Sequence, residues 1–200
     1  MRTLAKVARA LNFSARAGRG LPPVLLLTDV ERLPDPRPAA LRLAPGSGIV
    51  LRHYGASGRA ALARDLAAIA AERGLTLLVA EDAALARAVG ADGLHLPERA
   101  SSAIAPAITR RPDWLVTAAA HSLAALSAAA RRGAHAALLS PVFATRSHPA
   151  VPPLGPARFA AMVRQAAIPV YALGGIDDRT APRLKATGAV GIAAIGGLAG

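Results

Sequence analysis

Three times along this chain a helix-like stretch ends in Gly-Ala and passes at once into a short apolar run. The copies span Gly90–Leu96, Gly133–Leu139 and Gly188–Ala194. A glycine just past a helix end takes a positive φ at little cost. The run that follows is short and apolar, as a strand buried on both faces should be. One βα unit repeated along a chain builds a parallel sheet, and the chemistry of such sheets gathers at the C-terminal ends of the strands.

Eight strands are expected on this reading: Pro23–Thr28, Gly48–His53, Leu75–Ala80, Gly93–Leu96, Leu115–Ala119, Ala136–Pro141, Pro169–Leu173 and Gly191–Ile195. Helical patterns lie between most of them. Leu62, Leu66 and Ile69 share one face of a helix that stops at Gly74. Asp82 and Ser122 stand where side chains cap helices, and the second of these helices turns Leu123 and Leu126 inward. Phe159, Met162 and Val163 mark another helix, and the stretch Asp178–Thr187 carries Pro182 in its first turn. The fold class is therefore α/β, a single small (βα)8 TIM barrel over 23–200. Its first crossover, Asp29–Gly46, holds three prolines within ten residues and leaves room only for a short helix near Ala39–Leu43. No final helix follows the eighth strand. The segment 1–22 reads as a basic helix packed on the barrel in its place, with Leu4, Val7, Ala8 and Leu11 at helical spacing. An organelle transit peptide is the competing reading of that segment. A doubly wound open sheet competes for the fold, but no G-x-G-x-x-G turn supports it.

Composition narrows the function classes. The formal charge is +12, carried almost wholly by arginine, since Lys6 and Lys185 are the only lysines. A basic surface attracts phosphate, on a nucleic acid or on a small substrate. The arginines are scattered and aromatics make up 3% of the chain, which argues against a nucleic-acid partner. The absence of cysteine excludes disulfides and thiolate metal sites. No apolar run approaches the ~20 residues of a membrane span, so the expectation is a cytoplasmic protein with no membrane partner.

Two strand ends and one loop are the candidates for chemistry. Strands seven and eight end in Gly174-Gly175 and Gly196-Gly197. Barrels commonly hold a phosphate there, on backbone N–H groups that glycine leaves approachable. The long connection after strand six contains Thr145, Ser147 and His148 between prolines, which should hold them over the barrel mouth.

With these residues in view the chain resembles the thiamine phosphate synthase/TenI family. The resemblance rests on Ser140–Thr145 with the downstream Pro-Pro-Leu-Gly, on Pro169–Ile176, on Asp92–Leu96 and on Arg52, and it runs from about Val24 to Gly197. It implies a (βα)8 barrel, a homodimer and a place in thiamine biosynthesis. It further implies that Gly174, Gly175, Gly196 and Gly197 bind a phosphate, that Thr145 and Ser147 supply hydroxyls, and that His121 serves as acid and base. The family's synthase joins a pyrimidine diphosphate to a thiazole phosphate with Mg²⁺, whereas its thiazole tautomerase moves a proton on the thiazole phosphate without metal.

The diphosphate end departs from the family. An Asn-Asp-Arg trio after strand three is Ala80-Glu81-Asp82 here, so Glu81 is the one carboxylate kept for a metal. Arg99 stands for a metal-binding aspartate, Tyr54 for a lysine, and His148 for the loop lysine. Mg²⁺ wants hard oxygen ligands, so the favoured expectation is tautomerase-like proton transfer with no cofactor. The alternatives are a Mg²⁺-dependent synthase and a non-catalytic barrel that binds thiamine phosphate.

Overall fold

The eight apolar runs pair in parallel, each with its neighbour in sequence, and the last returns to the first to close the barrel. The computed structural model describes residues 2–15, 20–99, 111–145 and 151–198. The strands are β1 (Val24–Leu27), β2 (Gly48–Leu51), β3 (Thr76–Ala80), β4 (Gly93–Leu96), β5 (Leu115–Ala120), β6 (Ala136–Leu139), β7 (Val170–Leu173) and β8 (Gly191–Ala194). Closure pairs Val24 with Ile192 and Leu26 with Ala194. Five strands, β1, β2, β4, β6 and β8, are buried at every position, as wrapping by helices requires; only Thr76, Leu115, Ala119 and Leu173 in the eight strands are partly exposed.

Around the strands lie α1 (Arg2–Ser14), α2 (Arg37–Leu41), α3 (Arg59–Arg73), α4 (Ala83–Ala88), α5 (Leu123–Arg131) and α6 (Gly155–Gln165), with 3-10 turns at Ala181–Leu184 and Gly196–Leu198. The caps sit where the sequence places them. Asp82 accepts from Leu85 N at 2.8 Å, and Ser122 accepts from Ala125 N at 3.1 Å. Gly74, Gly90, Gly133 and Gly188 all have positive φ. Helix α1 lies against β1, β8 and the 181–184 turn, with Leu4, Val7, Ala8 and Leu11 buried. Asn12 donates to Leu21 O and Val190 O, tying the helix to the strand entries. Among the described residues no helix is long and apolar enough to cross a membrane.

Four local expectations need correction. Strand two ends at Leu51, before His53, whose φ of 23° leaves the strand region. Strand six ends at Leu139, before Pro141. Leu123 faces outward at 37% exposure, and α5 buries Ala125, Leu126 and Ala129 instead. The 178–187 stretch forms only the turn Ala181–Leu184, because Asp177 Oδ1 takes the amides of Arg179 and Thr180 and winds the chain tightly.

The ladder requires small residues at certain crossings. A Cβ on Gly93 would land on the Leu115 carbonyl oxygen of the next strand, and one on Gly48 would sit 2.7 Å from Leu25 Cδ2. Inside the barrel Tyr171 is buried and donates to Pro22 O at 2.7 Å. His95 is 3% exposed, and its Nδ1 lies 2.9 Å from Thr117 Oγ1.

Two expectations follow for stability. Gly93→Ala should lower the urea-unfolding free energy by about 3 kcal/mol or more, since backbone rather than a movable side chain occupies the space. Gly90→Ala, where no atom lies within 4 Å but φ is positive, should cost only about 1 kcal/mol. Burial, with a smaller contribution from Arg52, pulls His95 from 6.5 to about 3. The neutral ring therefore contributes stability that is full above pH 6.5 and is lost as pH falls toward 3, because the unfolded chain takes up a proton that the native barrel refuses. His95→Gln should flatten the fall in unfolding free energy across that window, as read from urea titrations at a series of pH values. An unchanged slope would contradict it.

Candidate functional site

The strand ends build one cavity at the C-terminal mouth of the barrel, of about 710 Å³. Arg32 and Arg52 form one wall and Ser140, Pro141, Ala144 and Thr145 another, while the ends of β7 and β8 bring Gly174, Gly175, Gly196 and Gly197 to the same space. These turns follow from the chain's local chemistry. Gly174 and Gly175 have φ of 98° and 64°, which side chains resist, and a Cβ on Gly175 would strike Ala144 O.

Backbone bonding orients the β7 turn. Leu173 O accepts from Val142 N at 2.9 Å, and Gly174 O accepts from Phe143 N at 3.0 Å. A trans peptide points its N–H opposite to its carbonyl, so the Gly174 and Gly175 amides aim away from the loop after β6. Thr180 Oγ1 donates to Gly175 O at 2.9 Å and fixes the next peptide. Among the described turn and loop backbone bonds, none is donated by the amides of Gly174, Gly175, Gly196 or Gly197. Grouped amides of this kind can donate to an anionic oxygen.

The facing wall is cationic, and Asp29 offsets its charge in part. Asp29 Oδ2 accepts from Arg52 Nη2 and from Arg32 Nη2, both at 2.9 Å. The bond from Arg32 is the main reason the Asp29 carboxyl drops from 3.8 to about 2. Thr28 Oγ1 accepts from Arg52 N at 2.9 Å and stands 2.8 Å from His53 Nδ1, so the ends of β1 and β2 are stitched together beneath the arginines.

His121 follows β5 directly and does not line the cavity. It stands on the rim, next to Ala120, whose carbonyl accepts from Ser140 N at 3.1 Å, and Ser140 does line the cavity. Its Nδ1 is 2.5 Å from Glu98 Oε2. The other described histidines are held by structural bonds: His53 lies between Thr28 and Pro34, His95 against Thr117, and His135 accepts from Val116 N at the entry of β5. Thr145 lines the cavity; Ser147 and His148 lie outside the described residues.

The described carboxylates stand apart from one another, and most carry other bonds. Glu81 is exposed at the end of β3, with a φ of 62°. Its neighbour Asp82 caps α4 and pairs with Arg59 at 3.4 Å. Asp29 is clamped by two arginines, and Asp177, which lines the cavity, spends Oδ1 on the Arg179 and Thr180 amides. Among the described residues no three acidic, histidine or cysteine side chains gather as a metal set would. Arg99 is exposed beyond β4.

Sequence reasoning passed over Arg32, Asp29, Asp177 and Glu98. The signal was available in part. Asp29, Asp177 and Glu98 each fall within four residues after a strand, at the end of the barrel where chemistry collects.

A family model described as thiamine monophosphate synthase matches residues 39–198. A protein of Aquifex aeolicus, provisionally named thiamine-phosphate synthase 2, is 38% identical over 136 residues, which cover 67% of this chain and 72% of that one. The thiamine-phosphate synthase of Chlorobium luteolum is 33% identical over 178 residues, 87% of this chain and 84% of its own. In structure the chain is similar to thiamine phosphate pyrophosphorylase from Pyrococcus furiosus, with a TM-score of 0.75, 26% identity, and coverage of 88% of this chain and 87% of the other. On the span of these matches and on the closed barrel they share, the chain belongs to the thiamine monophosphate synthase family.

Proposed function

We propose that this barrel binds a phosphorylated thiazole at the β7–β8 mouth and moves a proton on its ring, with His121 as acid and base and no divalent cation. The observation behind the reading is the set of four glycine residues around one cavity, beside carboxylates that are engaged elsewhere. The phosphate sits on the amides of Gly174, Gly175, Gly196 and Gly197, and Arg32 and Arg52 hold the opposite wall positive. Thr145 reaches the ligand from the β6 loop. The thiazole extends from the phosphate toward the ends of β5 and β6. There the imidazole of His121 takes a proton from the ring and returns it at a second position, the role a histidine plays as general base and then general acid. A ring C–H bond breaks, an N–H bond forms on His121, and the electron pair stays in the thiazole until reprotonation.

A second reading, condensation with a pyrimidine diphosphate, is favoured by the names of the relatives and by the two arginines in the cavity wall. Its mark is Mg²⁺-dependent release of diphosphate from hydroxymethylpyrimidine diphosphate and hydroxyethylthiazole phosphate. Release above background would replace the first reading. Ligand binding with neither exchange nor release would leave a binding protein.

Two variants test the preferred reading. Gly175→Val is unsuitable, since its side chain collides with the Ala144 carbonyl and disturbs the turn itself. At Gly196 an added Cβ meets nothing within 4 Å and φ is not positive, so Gly196→Val should fold. Its affinity for hydroxyethylthiazole phosphate, measured by calorimetry, should fall about tenfold or more, the cost of one or two charge-assisted hydrogen bonds. An unchanged affinity would remove the cradle. His121→Ala should bind the same ligand normally yet lose about a hundredfold in ring proton exchange followed by NMR in deuterated water.

A further inference from the structure

We propose that Glu98 is a positioning residue that sets the tautomer of His121 and leaves Nε2 as the proton-accepting nitrogen; this rests on the reading of His121 as acid and base. The two residues come from adjacent strands. β4 and β5 pair in register, with His95 opposite Thr117 and Leu96 opposite Ala118. Glu98 lies two residues past β4 and His121 one past β5, so both emerge on the same rim.

An ionised carboxylate accepts hydrogen bonds and donates none. With Nδ1 at 2.5 Å from Glu98 Oε2, the hydrogen between them belongs to Nδ1. In the neutral ring Nε2 then carries the lone pair, because the bond made by one ring nitrogen decides the state of the other. When Nε2 accepts a proton from the substrate, the ring becomes a cation and Glu98 already faces it.

Helix α5 holds both partners. Ser122, next to His121, takes the capping bond of the helix N-terminus, so His121 is not engaged as the cap. At the other end of the helix Arg132 donates from Nη1 to the Glu98 carbonyl at 3.0 Å. One nine-residue helix therefore spans from the histidine to the loop that bears the glutamate. Both side chains are about two-fifths exposed, at 45% and 38%. An exposed ion pair adds little to folding, which makes a purely stabilising role a poor account of the contact.

The test uses the full chain labelled with ¹⁵N-histidine, at alkaline pH where the ring is neutral, with the His121 signals assigned by their loss in His121→Ala. The wild type should show the hydrogen on Nδ1 and none on Nε2. Glu98→Ala should move the hydrogen mainly to Nε2, keep its thermal midpoint, and lose about tenfold in ring-exchange turnover at unchanged KM. Glu98→Gln retains an acceptor oxygen without the charge, so it should keep the wild-type tautomer and fall between the two in turnover. Hydrogen already on Nε2 in the wild type, or the same tautomer in Glu98→Ala, would overturn the proposal. If the wild type exchanges no ring proton, the acid–base reading of His121 fails, while the nitrogen signals still decide whether Glu98 sets the tautomer.

Discussion

Eight strands of four to six residues have to close on themselves, and each has only its two neighbours for hydrogen bonding. The closure is therefore sensitive to every crossing. Where β4 meets β5, the space that a Cβ on Gly93 would take is filled by the Leu115 carbonyl, and Gly191 has the same relation to Pro23 O at the β8–β1 seam. Glycine at these points allows the ladders to form at short separation. The buried leucines, valines and isoleucines then fill the interior, and the mouth inherits a fixed ring of strand ends. Everything chemical in the molecule is placed by that ring.

At the mouth two kinds of positive potential meet. One is carried by the Gly174 and Gly175 amides at the β7 turn, whose direction the bonds of the preceding carbonyls set. The other is carried by Arg32 and Arg52, and Asp29 partly offsets it within bonding distance. The acidic residues that border this region are already occupied, as helix cap, turn staple or arginine partner. Among the described residues no three acidic, histidine or cysteine side chains gather there. The Glu98–His121 pair stands beside it, on strand ends that neighbour the cavity wall.

The histidines show how position divides one residue type by role. His95 and His53 are enclosed by the ladder and bonded to threonines, and His135 serves the far end of β5. Only His121, among the described histidines, combines the mouth end of a strand with wide exposure and a carboxylate partner. Helix α5 is what couples it to Glu98, since the helix starts at one and its last turn reaches the other.

Much of the architecture was legible in residue order. The Gly-Ala junctions, the eight apolar runs, the caps at Asp82 and Ser122 and the glycine pairs at 174–175 and 196–197 are local signals, and local sterics and capping chemistry decide them without reference to distant chain. The failures were local too where a side chain overrode a pattern, as when Asp177 wound a would-be helix into one tight turn, or when small alanines rather than Leu123 took the buried face of α5. Pairings across the mouth could not be read in this way. Arg52 with Asp29, and Glu98 with His121, each join residues 23 positions apart through strand neighbours. Such contacts depend on register and on which way the backbone leaves each strand, and those are settled only when the ladder closes.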